Sequence, residues 1–403
     1  MRSRQYEHNK PNRLFLNFNV IDKGQVKKNM PVYISNGIID TVPQTIGENT
    51  EIIDGHNKRY LSAGFIDIHT HGGGGFDFMD ADPAEYNAIS RHHASYGTTA
   101  LYPTTVSASR EELVMSVKAF KEAEKLGGGA TMLGLHLEGP YLAMSQKGAM
   151  DPKYLRNPIP DEYMELCEIS DDIKRITLAP ELDGAIELCS YLKKRDIVAS
   201  IGHTDAVCSN VIKAFYEGDC RLMTHLYSAM SMTRRIGINR FGGAVEAAYL
   251  LDDMYVEIIA DGIHLPEELL KLIYKIKGDN RIALITDSMR GSGMEQGSTA
   301  MLGSRKNGLL VLIEDGVAKL PDHTAFAGSV ATADRLIKTM INIAGTSLPS
   351  AVKMMTEVPA KIMNIYGERG SLDIGKVADI IVFDEDINIL MTMVKGEIIH
   401  KVN

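Results

Sequence analysis

The sequence predicts an α/β protein: a (β/α)8 barrel carrying a small β-sandwich domain formed from both chain termini. Three observations lead there. Eight apolar, strand-like runs alternate with polar-faced helical stretches through the middle of the chain, the pattern of parallel strands joined by crossover helices. The 403 residues accommodate a barrel, which takes about 250, and leave chain for a satellite domain. At both ends the pattern changes to short alternating runs broken by turns, with no long helix.

Residues 13–60 hold the first of these runs, for example PVYISNGIIDTV, where apolar and polar residues alternate as in a half-buried strand. The barrel strand candidates follow in order. They are GFIDIHTH (64–71), TTALYPTT (98–105), TMLGLHLE (131–138), RITLAPE (175–181), IVASIGHT (197–204), RLMTHLYS (221–228), MYVEIIADGIH (254–264) and RIALITDS (281–288). Between them DPAEYNAISRHHASYG, SREELVMSVKAFKEAEKLGGG and DGAIELCSYLKKRD read as helices. A helix-rich stretch near 331–357 closes the barrel, and KVADIIVFDEDINILMTMVKGEIIHKVN returns to short strands. The expected division gives 1–60 and 368–403 to the two parts of the small domain and 61–367 to the TIM-like barrel.

Composition narrows the function classes. A formal charge of -9 leaves no basic footprint for nucleic acid. No apolar run approaches the roughly 20 residues that span a bilayer, so no membrane partner is expected. The opening MRSRQYEHNKPNRLFLNF has basic residues but no small-residue cleavage site after an apolar core, and does not read as a signal peptide. Cys167, Cys189, Cys208 and Cys220 form no C-x-x-C pair and read as reduced thiols of a cytoplasmic protein.

In a barrel of this kind chemistry sits at the C-terminal ends of the strands. The first candidate ends in His69 and His71, the third in His136 and Glu138, and the fifth in His203. The sixth ends in His225, the seventh in Asp261 and His264, and the eighth in Asp287. A period of two sends His69 and His71 to the same side. A single buried His is more often a satisfied core residue. Four His and two carboxylates at one rim would cost several kcal/mol each, roughly, if left unpaired, and a divalent metal site explains them together. Mixed imidazole and carboxylate ligands suit Zn²⁺ foremost, with Fe²⁺, Mn²⁺ and Co²⁺ open. Six candidates exceed the needs of one tetrahedral ion, whereas two ions bridged by a carboxylate and a hydroxide use all six. Competing motifs fail. HGGGG (71–75) has no G-x-S-x-G partner. GSLDIGKV (370–377) places Val377 where a phosphate loop needs Ser or Thr, and reads as a turn into the small domain.

His-x-His on the first strand, His on the fifth and sixth, and Asp on the eighth resemble the amidohydrolase superfamily of metal-dependent barrels. Closer still, LGLHLEGPYL (133–142), SIGHTDA (200–206), THLYSAM (224–230), IIADGIHL (258–265), ITDSMR (285–290) and FAGS (326–329) resemble the N-acetylglucosamine-6-phosphate deacetylase family. The resemblance implies that Glu138, His203 and His225 hold one metal, and that His69 and His71 hold a second alongside Asp287. It implies removal of acetate by metal-activated water, with Asp287 as general base and then acid. The glycines after His71 would let the backbone approach the substrate. Ser228, Ala229, Arg235, His264 and Phe326 would bind a phosphorylated amino sugar, with His264 reaching into a neighbouring subunit's site, hence a homodimer.

Three positions depart from the family pattern. Met150 stands where members carry His or Gln near the N-acetyl group, and Met donates no hydrogen bond. Ser228 replaces a phosphate-binding Asn. Ile236 stands where an ungapped match expects the phosphate-gripping arginine, with Arg234, Arg235 and Arg240 close by. Two alternatives therefore stand beside the deacetylase. One is a related amidohydrolase acting on a different N-acyl sugar, an N-acyl amino acid or a cyclic amide. The other is a non-catalytic carbohydrate sensor.

Overall fold

The computed structural model describes residues 10–402; the first nine residues of the expected N-terminal part, with the start of the presumed non-signal opening, lie outside it. All eight expected barrel strands form. They are Phe65–Thr70, Thr98–Thr105, Leu135–Glu138, Ile173–Leu178, Val198–Ile201, Leu222–Met223, Tyr255–Ile258 and Ile282–Leu284. Each pairs in parallel with the next in sequence. The seam between the last and the first is drawn together just past the strand ends, where Asp287 N donates to His69 O (2.9 Å) and His71 N to Ser288 O (2.7 Å). Three candidate metal ligands, His69, His71 and Asp287, thus sit on the seam itself.

The crossover helices start where local chemistry says they should. Asp82 caps Pro83–Ala94 by accepting from Ala84 N, with Pro at a first-turn position that needs no donor. Ser109 and Glu112 close a reciprocal capping box on Arg110–Ala123. Its buried face, Leu113, Val117 and Phe120, packs into the main core with Leu135 and Leu137 of the third strand. Ala333–Asn342, Leu348–Met355 and Glu357–Ile362 form the expected helical tail.

The barrel interior is polar. Fully buried Arg175 donates to Ile68 O (3.1 Å), Ser200 Oγ (3.0 Å) and Thr224 Oγ1 (2.9 Å) and pairs with Glu257. One side chain therefore ties the first, fourth, fifth, sixth and seventh strands beneath the rim.

Both termini build the small β-domain. In one sheet, Gln25–Lys28, Asn19–Asp22 and Tyr60–Ala63 stand beside Ile380–Phe383, Ile389–Val394 and Glu397–Lys401; Leu61 opposes Val382 where the two ends of the chain meet. A second sheet takes Ile38–Asp40, Val32–Ser35, Arg13–Leu16 and Glu51–Asp54. Phe15, Val20, Ile34, Leu61, Ile380 and Met393 fill the space between them. Two elements were not expected from the sequence: a hairpin, Arg234–Ile236 with Asn239–Phe241, after the sixth barrel strand, and a three-stranded sheet, Thr299–Leu302, Leu309–Glu314 and Val317–Lys319, after the eighth.

Candidate active site

The ends of the first, third, fifth, sixth and eighth strands bring His69, His71, Glu138, His203, His225 and Asp287 into one buried cluster. Glu138 is its hub. Its Oε1 lies 2.8 Å from His225 Nε2, 3.2 Å from His203 Nε2 and 3.6 Å from His69 Nε2, and its Oε2 lies 3.2 Å from His71 Nε2. Asp287 Oδ1 faces His71 Nε2 at 3.2 Å and His69 Nε2 at 3.4 Å. Two ligand triads, His69–His71–Glu138 and Glu138–His203–His225, each keep their ligand atoms within 4.8 Å of one another and share Glu138.

Hydrogen bonds from behind turn three of the four imidazoles inward. Nδ1 of His69 faces Glu257 Oε2 (3.4 Å), Nδ1 of His71 faces Thr104 O (3.2 Å) and Nδ1 of His203 faces Gln146 O (2.8 Å). Each of these oxygens accepts, so the proton sits on Nδ1 and the Nε2 lone pair points into the cluster, the arrangement of a metal-ligating His. The backbone helps as well. His203, His225 and Asp287 have φ of 46°, 31° and 46°, a left-handed conformation costing roughly 1 kcal/mol or more per non-glycine residue; it lets each chain segment leave its strand while its side chain stays on the rim.

Electrostatics fit a cation. Burial alone would push the Glu138 carboxyl up, but His69, with hydrogen bonds from His203 and His225, holds it well below the usual carboxylate range. Burial likewise opposes ionisation of Asp287, and His69 and His71 bring it below its ordinary value. His69 pays the counterpart: burial favours its neutral form, yet Glu138 and Asp287 push it up to about 9. Two ionised carboxylates among inward-facing Nε2 atoms call for positive charge, and a divalent ion supplies it without protonating the imidazoles. The residues present fit the metal.

Above the cluster lies a cavity of about 420 Å³, walled by Val106, Met150, Ser228, Ala229, His264 and Phe326 among others, with His71, Glu138, His203, His225 and Asp287 on its floor. It has the size and the few convergent polar groups of a small-molecule site. A family model described as the amidohydrolase family matches residues 60–399. The chain belongs to the amidohydrolase family. It is a hydrolase of that metal-dependent group. N-acetylglucosamine-6-phosphate deacetylase of Bacillus subtilis is 32% identical to it over 386 residues, 94% of this chain and 95% of the relative. N-acetylgalactosamine-6-phosphate deacetylase of Escherichia coli O157:H7 is 29% identical over 370 residues, 91% and 93% of the two chains. Among solved structures, N-acetylglucosamine-6-phosphate deacetylase from Pasteurella multocida superposes with a TM-score of 0.88 at 29% identity, covering 97% of this chain and 100% of that one.

Within this amidohydrolase barrel several expectations need correcting. His264 does not reach outward. Its side chain is buried in the wall of its own chain's cavity, with Nδ1 2.8 Å from Asp261 Oδ2 and its ring centroid 4.6 Å from that of Phe326. Arg235 lies outside that cavity, paired across the exposed hairpin with Arg240, while Arg234 is held by Asp205. Gly72 and Gly73 serve packing rather than substrate approach. A Cβ on Gly72 would meet Phe76 O at 2.2 Å, and one on Gly73 would meet His92 Cδ2 at 2.6 Å; both residues belong to a tight ribbon with Phe76–Asp77. His136 stays out of the ligand set, bonded inside the barrel to Thr104 Oγ1 (3.2 Å) and Thr177 Oγ1 (2.7 Å). Sequence reading missed Glu257 and Arg175. Their signal was there: a charged residue inside an apolar strand, in MYVEIIA and in RITLA, must find a buried partner.

Proposed function

We propose that the protein hydrolyses the amide of N-acetyl-D-glucosamine 6-phosphate to acetate and D-glucosamine 6-phosphate, with two divalent ions, Zn²⁺ foremost, held by the two triads that share Glu138. The observation that carries this is the six-residue cluster on the cavity floor, in a chain that matches N-acetylglucosamine-6-phosphate deacetylases over nearly its whole length. When bound, the metal polarises the amide carbonyl and acidifies the attacking water. The chain's own residues do the rest. Asp287, ionised and 3.2 Å from His71, takes the proton from the water as it adds to the acyl carbon. It then delivers that proton to the sugar nitrogen as the C–N bond breaks.

The cavity lining contains no Lys or Arg among the described residues. Ser228, the Ala229 N–H and His264 are the groups we assign to the phosphate, with Ser145, Gln146 and Tyr227 also on the lining. Arg235 and Arg240 stand outside that lining on the hairpin, which also exposes Ile236, Phe241 and a 94% exposed Ile238. Such an apolar, basic tip supports a homodimer in which the hairpin of one copy approaches the cavity of the other. Ile238→Asp then yields a particle near 44.3 kDa by light scattering, where the wild type gives twice that mass. Four free cysteines support a cytoplasmic setting.

The reaction is tested in ¹⁸O-labelled water: zinc-loaded protein acting on N-acetylglucosamine 6-phosphate should release acetate carrying one label, and Asp287→Asn should release it about 10²–10⁴-fold more slowly. A metal-replete protein that leaves the substrate intact overturns the assignment. A second reading, the galactosamine epimer of the substrate, is favoured by the 29% identity to an N-acetylgalactosamine-6-phosphate deacetylase; kcat/KM measured on both sugars separates the two.

A further inference from the structure

We propose that the metal end of the cavity opens into an acyl subsite that takes N-acyl groups longer than acetyl, with Met150 as its movable wall. This rests on the deacetylase reading above and extends it to the class of amide cleaved. The amide carbon must lie over the cluster formed by Glu138, the histidines and Asp287, so the two halves of the substrate diverge from there. The polar sugar suits Ser228, Ala229 and His264. The acyl group then points to the other wall, which is apolar: Val106, Ala149, Met150 and Leu302.

Those same four residues line a second hollow behind that wall, of about 30 Å³, whose other apolar contributors are Met79, Ala108 and Leu309. That is about the share of one water in the liquid, and matches a short extension of an acyl chain. The polar side chains at its outer side are already engaged, since Asn307 donates to Glu112 Oε1 at 2.9 Å, so an apolar occupant leaves no new polar group unpaired there. The dividing wall is soft. Met150 is 5% exposed, and its Sδ accepts from Ser107 N–H at 3.4 Å, a weak bond to a thioether. An unbranched thioether with three rotatable bonds can swing at small cost. His or Gln at this position would instead offer a donor to the carbonyl and wall the acyl group with polar atoms. The exchange therefore trades a fixed polar contact for apolar room.

The experiment compares N-acetyl-, N-propionyl- and N-butyryl-glucosamine 6-phosphate on the zinc-loaded full chain, by release of the free acid. A site closed around acetyl rejects one added methylene by about 10–200-fold. Here kcat/KM for the propionyl compound should stay within about threefold of that for acetyl, well short of that penalty. Filling the hollow with Ala108→Leu, or replacing its wall with Met150→Gln, should lower the propionyl-to-acetyl ratio by about tenfold or more; two variants guard against one failing to fold. Acetyl turnover with propionyl rejected overturns the subsite and leaves the deacetylase reading standing. Propionyl turnover unchanged in both folded variants overturns its location. No turnover of any of the three, with metal shown to be bound, overturns both readings.

Discussion

The two ends of the cavity are built differently. At the metal end, every side chain of the His/Glu/Asp cluster comes from a barrel strand or the first residues past it. Each of His69, His71 and His203 is also braced through Nδ1 by a second group. At the sugar end, Ser228, Ala229 and Phe326 ride on loops, and the arginines ride on a hairpin that lies outside the cavity. The metal end is locked to the ladder of the barrel, where a shift would break strand pairing. The recognition end can be rewritten without touching a ligand. The three departures from the family pattern, at Met150, Ser228 and Ile236, all fall outside the ligand set.

Substitutions at the two ends should therefore fail in different ways. The largest effect belongs to Asp287→Asn, which removes the proton carrier and should lower kcat by about 10²–10⁴-fold, read by steady-state acetate release. Next comes Glu257→Gln, which weakens the brace on His69 and also neutralises the partner of buried Arg175, so the fold is checked by thermal unfolding alongside. Loss of a second partner to a ligating His costs about 10–100-fold in metal affinity, measured by chelator competition, and the binding stoichiometry should fall toward one ion.

The metal end should also be the pH-sensitive one. In the metal-free chain His69 is pushed up to about 9, so near neutral pH it carries a proton that an incoming ion must displace. Metal uptake should release protons, and affinity should rise by at most about tenfold per pH unit from neutrality toward that value. Calorimetry in buffers of different ionisation enthalpy reads the proton count; an affinity that is flat with pH would contradict the charge balance described for the cluster. The smallest effect belongs to the sugar end: Ser228→Ala should raise KM for the phosphorylated sugar by about tenfold and leave kcat near that of the wild type. A loss of kcat as deep as that of Asp287→Asn would erase the distinction between the two ends.

Legibility in the sequence follows the same division. The barrel could be read because its strands are apolar runs at regular spacing, and the six clustered residues could be singled out because they close those runs. The hairpin at 234–241 could not, since strands of three residues carry too little alternation to show a period. The sheet at 299–319 was hidden for a related reason: Leu309–Glu314 exposes Leu310, so its pattern reads as neither core nor surface. His264 was placed by resemblance and its direction was set by Asp261 three residues earlier, a local contact that no spacing rule announces. Gly73 was misread because its role depends on His92 and His93, about 20 residues on.

The most direct test of a metal-dependent hydrolase specific for a phosphorylated amino sugar is kcat/KM for N-acetylglucosamine 6-phosphate and for N-acetylglucosamine, on protein stripped of metal and then titrated with Zn²⁺. Activity on the phosphorylated sugar should appear with the metal and level off at two ions per chain, with the unphosphorylated sugar poorly used. Equal use of both sugars, or turnover by the stripped protein, would contradict it.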